Sequence, residues 1–301
     1  MKDSYGREIS SLRVSITQRC NLNCFYCHRE GELRPGREMS PGEIGRLVRV
    51  ASDLGMRKLK LTGGEPLMRE DITSVVEECA PHMEEVSLTT NGILLDRKAE
   101  ELGTAGLDRV NVSLDAPEKE TYRRIVGVDA FSQVISGIQA AVDHGLGPVK
   151  LNMVVMRGLN DHLVEEGIEF AREHDCILQL IELETTKDRV NDGFYAKYHY
   201  DMGDLERELT SRAERVTPRE MHHRIKYLLP PEVEVVRPMH NTAFCANCHR
   251  LRVTSEGRIR PCLLSQDGTE DALTPMREGC DDRTLRELFE RVISNRRPYW
   301  L

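Results

Sequence analysis

LRVSITQRCNLNCFYC, residues 12–27, joins a short β-prone run to a loop carrying three cysteines. Residues 12–16 read as a strand, being mostly aliphatic or β-branched and followed by polar loop residues. Comparable runs recur at residues 58–61, 85–89, 109–114, 149–155 and 177–183, separated by longer amphipathic or charged stretches. Short apolar runs alternating with helix-length segments are the pattern of βα units, whose strands pair in parallel through right-handed crossovers. Helix starts support this reading. Ser40-Pro41 with Glu43 follows the N-cap and proline-at-N1 pattern, and Asn160-Asp161 suggests a second capped start. Six such units predict an α/β fold. Periodicity leaves an open doubly wound sheet and an incomplete barrel equally available, and in both ligands gather at the C-terminal ends of the strands.

Cys20, Cys24 and Cys27 fall in one loop directly after the first strand. Three thiolates on such a loop can hold three irons of a four-iron cubane and leave the fourth iron open. A zinc site completed by His28 is the alternative. A second set, Cys245, Cys248 and Cys262, lies near the other end of the chain. It fits a second cluster, or a zinc ribbon or knuckle with His249 or Cys280 as fourth ligand. Six of nine cysteines in two short sets point to metal rather than disulfides. Cys79, Cys176 and Cys280 read as small buried or incidental residues.

The formal net charge of -8 over 301 residues argues against a general nucleic-acid surface. No stretch approaches the roughly 20 apolar residues that span a bilayer, and MKDSYGREIS has no apolar signal region, so a cytoplasmic location is expected. Past residue 183 the βα rhythm fades through TTKDRVNDGFYAKYHYDMGD. A charged helix-like stretch, a Pro230-Pro231 break, a hairpin at SEGR and a helix over residues 285–294 follow. Two domains are expected, residues 1–225 and 226–301.

The cysteine loop does not stand alone, because Tyr26 precedes its third cysteine and TGGEPL, residues 62–67, follows the second strand. This combination resembles the radical S-adenosylmethionine superfamily. Further blocks in the same order, KLTGGEPLMR, SLTTNG, RVNVSLDA, VKLNMVVMRGLND and FCANCHRLRVTSEGRIRPCL, are similar to the GTP 3′,8-cyclase family of molybdenum cofactor biosynthesis. The resemblance implies a (βα)6 incomplete TIM-type barrel over residues 1–225. It also implies an α+β extension over residues 226–301 carrying a second [4Fe–4S] cluster.

Metal ligation by Cys20, Cys24, Cys27, Cys245, Cys248 and Cys262 is carried over from that family. So are S-adenosylmethionine contacts at Tyr26, Gly64 and Ser113, with Gly63 and Glu65 beside them, and GTP contacts at Arg13, Lys60, Thr89, Lys150, Arg250 and Arg252. Arg13, Arg250 and Arg252 are implied to serve catalysis. The implied reaction is lyase chemistry: reductive cleavage of S-adenosylmethionine, abstraction of the 3′ hydrogen of GTP, and attack of the ribose radical on guanine C8. A low-potential electron donor and a downstream cyclic pyranopterin monophosphate synthase are the implied partners, with no nucleic acid and no membrane.

Three positions depart from the family pattern. Lys60 stands where bacterial members carry arginine, NRRPYWL lacks the double-glycine tail, and a cofactor-contacting methionine is replaced within IELETT. A peptide-modifying radical enzyme and a non-catalytic iron–sulfur or zinc protein are the competing readings. The first would use more cysteines in its extension, and the second leaves TGGEP and Tyr26 unexplained.

Overall fold

Each predicted strand forms within a residue or so of its expected bounds in the computed structural model, which describes residues 1–31, 36–219 and 221–300. These are β1 (Ser11–Ser15), β2 (Lys58–Thr62), β3 (Glu85–Thr90), β4 (Arg109–Ser113), β5 (Lys150–Val155) and β6 (Ile177–Glu182). Six more follow: β7 (Arg215–Pro218), β8 (Ile225–Leu228), β9 (Glu232–Val236), β10 (Arg250–Val253), β11 (Arg258–Arg260) and β12 (Glu270–Asp271). The result is an α/β fold around one mixed sheet of order β12-β11-β10-β1-β2-β3-β4-β5-β6-β9-β8-β7. From β1 to β6 the order never reverses, so the sheet lacks the switch point of a doubly wound fold.

Two strands from the C-terminal part extend the parallel run to eight, β10 beside β1 and β9 beside β6. The sheet therefore continues across residues 225 and 226, which stand at the start of β8. The turn between β7 and β8 reaches back to the segment before β10, where the His222 N–H donates to the Asn247 carbonyl at 2.7 Å.

Alternation along β1, β2 and β4 makes one face apolar and the other polar there, while Val154, Ile181 and Val236 add apolar residues to the cavity side of β5, β6 and β9. Leu12 and Val14 flank Arg13, Leu59 and Leu61 flank Lys60, and Val110 and Val112 flank Asn111. The aliphatic members are buried in the main core, each contributing about 1.5–3 kcal/mol relative to exposure. Their polar neighbours share the opposite face and line a cavity.

Helix Pro41–Asp53 begins as expected, with a complete capping box between Ser40 and Glu43. The hairpin at SEGR forms between β10 and β11, and the last predicted helix runs over Asp282–Ser294. Asn160 behaves otherwise than expected. Its side chain accepts from the Met156 N–H and donates to the carbonyls of Asp115 and Val154, while helix Val164–Glu173 starts after a 3₁₀ turn without a side-chain cap. A buried amide satisfies more backbone groups by tying two strand-end loops together than by capping one helix. Among the described residues no single helix is long and apolar enough to cross a membrane.

Candidate functional site

The site begins where β1 ends. The loop carrying Cys20, Cys24 and Cys27 is tied to the loop after β2 by two backbone bonds, Gly64 N–H to Thr17 O at 2.8 Å and Glu65 N–H to Arg19 O at 2.7 Å. A Cβ on Gly64 would stand 2.4 Å from Arg19 O, and one on Gly63 2.5 Å from Thr17 O. Close approach of two backbones thus demands both glycines, whatever else they touch. Glu65 is fully buried and points away to the next loop, accepting from the Leu67 N–H, the Thr90 hydroxyl and the Asn91 N–H. Burial pushes its carboxyl up to about 7 despite these donors. The Asn91 amide in turn donates to Asn21 Oδ1 at 2.7 Å. The loops after β1, β2 and β3 form one interlocked unit.

Tyr26 turns inward. Its hydroxyl donates to Asp115 Oδ2 at 2.6 Å, and Asp115 Oδ1 takes the Val154 N–H at 2.9 Å. Burial raises the Asp115 carboxyl to about 6 and the Tyr26 phenol well above its ordinary value. Asp115 follows Ser113-Leu114 at the end of β4, and the sequence reading had given it no role.

A cavity of about 550 Å³ opens on the polar face of the sheet, within the range of small-molecule pockets. Among the residues predicted from sequence it brings together Tyr26, Ser113, Arg13, Lys60, Thr89, Lys150, Arg250 and Arg252, with Cys245, Cys248 and Cys262 in the same lining. Cys20, Cys24, Cys27 and Gly64 are not part of that lining. They stand behind Tyr26 on the interlocked loops.

Cationic groups outnumber anionic ones here. Arg252 Nη1 donates to Glu30 Oε2 at 2.7 Å and Arg13 Nη1 to Glu30 Oε1 at 3.4 Å. Although burial opposes it, this pair of guanidinium groups holds the Glu30 carboxyl at about 2. Lys60 donates to the neutral Asn111 Oδ1 at 2.6 Å. Burial, then Arg109, Arg13, Arg250 and Lys150, push its ammonium far below the ordinary value. Arg13 Nε and Arg250 Nε are buried without a partner. Crowded cations and unused donors facing one cavity constitute an anion site.

The second cysteine set is built by long-range clamps. Asn241 caps helix Thr242–Ala246, which places Cys245. Arg7 Nη1 donates to Cys245 O at 2.9 Å, Arg296 Nη2 to Cys248 O at 2.8 Å, and Asp3 pairs with both arginines. Burial favours the thiol at Cys248, yet Arg296, the Arg250 N–H, Arg250 and Arg7 outweigh it and lower the group.

Both sets share a local device. The N–H two residues on faces the sulfur at Cys20, Cys27 and Cys262, each at 3.4 Å. The Trp300 N–H does so at Cys245, 3.4 Å, and His222 Nε2 lies 3.2 Å from Cys248 Sγ. Donors aimed at sulfur suit thiolates that ligate iron–sulfur clusters. His28 and His249 line the cavity, but Cys280 does not.

Comparison with known proteins accords with this geometry. The Radical SAM superfamily model matches residues 14–171, and the Molybdenum Cofactor Synthesis C model matches residues 176–301. "Probable GTP 3',8-cyclase" of Pyrococcus abyssi is 50% identical over 303 residues, covering 99% of each chain. The Methanothermobacter thermautotrophicus relative of that name is 49% identical, covering 100% of this chain and 99% of its own. The chain belongs to the GTP 3′,8-cyclase family. As a radical SAM protein it uses an iron–sulfur cluster and S-adenosylmethionine.

Solved structures give the fold alone. Streptococcus suis SuiB bound to S-adenosylmethionine matches with a TM-score of 0.69 at 18% identity, covering 97% of this chain and 67% of that one. Methylornithine synthase matches at 0.59 and 14% identity, covering 97% and 84%.

Sequence reading missed Glu30, Asp115, Glu234, Arg219, Arg224 and the Asp3–Arg7–Arg296 clamp. A usable signal existed for part of this. Several inner strands carry polar residues at alternate positions, as in Lys58, Lys60 and Thr62 or Arg109, Asn111 and Ser113, and alternation through a parallel sheet announces one polar face.

Proposed function

We propose that this chain converts GTP to 3′,8-cyclo-7,8-dihydroguanosine 5′-triphosphate, the lyase step that opens molybdenum cofactor biosynthesis. The carrying observation is the cation-rich cavity with Cys245, Cys248 and Cys262 in its wall and Tyr26 at its border. In this reading the sheet is an incomplete (βα)6 barrel extended by residues 226–301, and the extension holds a second [4Fe–4S] cluster. Support comes from the unreversed strand order and from sulfur-facing donors in both triads.

When bound, the first cluster and S-adenosylmethionine supply a 5′-deoxyadenosyl radical once an electron arrives from a low-potential donor. The chain's own residues bind and orient. Tyr26, fixed by Asp115, and Ser113 border the cofactor side. Arg13, Lys60, Thr89, Lys150, Arg250 and Arg252 hold the nucleotide so that its ribose faces the radical, and a lined cavity excludes stray hydrogen donors. Arginine suits this task, since its fork donates bidentately to phosphate oxygens and keeps its charge. Lys60 offers a single compact donor group in place of a fork. The product would pass to a cyclic pyranopterin monophosphate synthase in the cytoplasm.

The test is an anaerobic assay with GTP, S-adenosylmethionine and reductant, read by mass analysis of the nucleotide. The cyclised product is expected from the native chain. Arg252→Ala should cut its formation by about 10²–10³-fold while 5′-deoxyadenosine still appears. Consumption of a peptide in place of GTP would transfer the chain to the competing class.

A further inference from the structure

Glu234 on β9 is completely buried, beside Gln179 of β6 in the sheet register. Four groups converge on its carboxylate. Lys150 Nζ pairs with Oε1, Arg219 Nη1 donates to Oε1 at 2.9 Å, Arg224 Nη1 stands 3.5 Å from Oε2, and Gln179 Nε2 donates to Oε2 at 2.6 Å. Among the described residues Glu234 is the only carboxylate in ion-pair contact with Lys150, Arg219 or Arg224. Three cations therefore face one anion, and all three line the cavity. The Arg224 side chain is only 10% exposed, and its Nε is buried with no partner. Lys150 and Arg224 are buried with a single carboxylate between them and the partly exposed Arg219, and burying uncompensated positive charge is costly unless an anion joins it.

The backbone serves this arrangement. Arg219 and Arg224 come from the turn between β7 and β8, closed by the Arg219 N–H donating to Arg224 O at 2.7 Å. Within it His222 and His223 adopt left-handed φ values of 64° and 49°, a conformation that is uncommon for residues other than glycine and costs roughly 1 kcal/mol or more each. The turn is anchored by the His222 N–H on Asn247 O and by stacking of His222 on Phe244, ring centroids 4.0 Å apart. Tertiary contacts thus hold a strained turn that aims two guanidinium groups into the cavity, far in sequence from the cysteine loop.

We propose that Lys150, Arg219 and Arg224 form the seat of the nucleotide's terminal phosphates, with Glu234 as the fixed counter-ion that positions them. The inference rests on the GTP reading and adds residues and a selectivity to it. A triphosphate spans from the ribose to this seat and supplies the missing negative charge. A monophosphate cannot reach it. Arg219 and Arg224 become specificity-determining residues for phosphate chain length, outside the positions implied by family resemblance.

Equilibrium binding to the anaerobically reconstituted full chain tests this, using GTP, GDP, GMP and inorganic tripolyphosphate. Arg219→Gln and Arg224→Gln should each weaken GTP and tripolyphosphate by about tenfold or more, the effect of losing a charge-assisted bond, and GMP by less than about threefold. Because Arg224→Gln exposes a buried carboxylate to an uncharged partner, Arg224→Lys and the half-exposed Arg219 keep the test available if it fails to fold. Melting curves and iron content serve as controls. Unchanged GTP affinity, or equal losses for GTP and GMP, overturns the proposal. Arginine-dependent binding of tripolyphosphate without any binding of GTP would leave the seat standing and remove the GTP reading instead.

Discussion

Cys20 and Cys27 are exposed on a loop that carries Arg19, His28 and Arg29, with the Glu65 and Asp115 carboxylates acting on Cys20 and Cys24, whereas Cys245 is buried and Cys248 and Cys262 are partly so, with arginines acting on the last two. At the first triad burial raises the Cys20 thiol, with Glu65 adding to it, and burial with Asp115 raises Cys24 further. At the second, Arg296, Arg250 and Arg7 act together to bring Cys248 down. One motif, three cysteines on a short span, thus sits in two settings that differ at Cys248, while burial raises Cys262 as it raises Cys20 and Cys24. The first setting, with Glu65 and Asp115 acting on its thiols, suits S-adenosylmethionine, a sulfonium that carries a net positive charge. The second suits a polyanion, and its guanidinium groups, Arg7, Arg250 with Arg252, and Arg296, come from three separate parts of the chain.

Cysteine substitution makes the largest break in this comparison. Serine at Cys20, Cys24 or Cys27 should take 5′-deoxyadenosine formation below detection, while serine at Cys245, Cys248 or Cys262 should leave it measurable and abolish cyclisation. Iron should fall from about eight to about four per chain in either case. Equal loss of both activities from both sets, in folded protein, would erase the proposed division of labour.

A smaller effect is expected at the interlocked loops. Gly64→Ala would put a Cβ 2.4 Å from Arg19 O and 2.7 Å from Gln18 O, both backbone atoms that cannot rotate away. About 1–3 kcal/mol of stability should be lost, and the paramagnetic signal of the first cluster should weaken while that of the second persists. Disturbance of both signals alike would mean that the two regions are not independent.

A comparable effect concerns pH. Glu65 has an ordinary value of 4.5 and a folded value of about 7, so the folded state holds its proton more tightly. Stability from this group is complete below pH 4.5 and falls as pH rises toward 7, by an amount on the order of 3 kcal/mol. Asp115, raised from 3.8 to about 6, acts in the same direction. Glu30 and Glu234, both held at about 2, act oppositely, and their contribution is lost only as pH drops below 4.5. Thermal melts of Glu65→Gln should therefore show a flatter decline between pH 4.5 and 7 than the native chain. An unchanged slope would place the effect elsewhere.

Much of this was legible before any coordinates. The six strands, the capping box at Ser40 and Glu43, the hairpin at SEGR and both cysteine triads are local patterns, set by residues a few positions apart. The eight cavity-lining positions Arg13, Tyr26, Lys60, Thr89, Ser113, Lys150, Arg250 and Arg252 followed from resemblance, and the fold does assemble them around one space. Asn160 was misread because its capping signal is local while its actual partners, Asp115 and Val154, belong to neighbouring strand ends.

What the sequence determined by itself is the alternation of strand and helix, the two thiol sets and the family, since each is written in short-range spacing. Only the tertiary structure decided that β10 and β9 would extend the parallel run, that Glu30 would bridge Arg13 and Arg252, and that Glu234 would gather Lys150, Arg219 and Arg224. The ion pairs among these join residues up to 222 positions apart. Charges that distant meet only when a shared apolar core has brought their strands together, and no local spacing records which of 42 lysines and arginines will face which carboxylate.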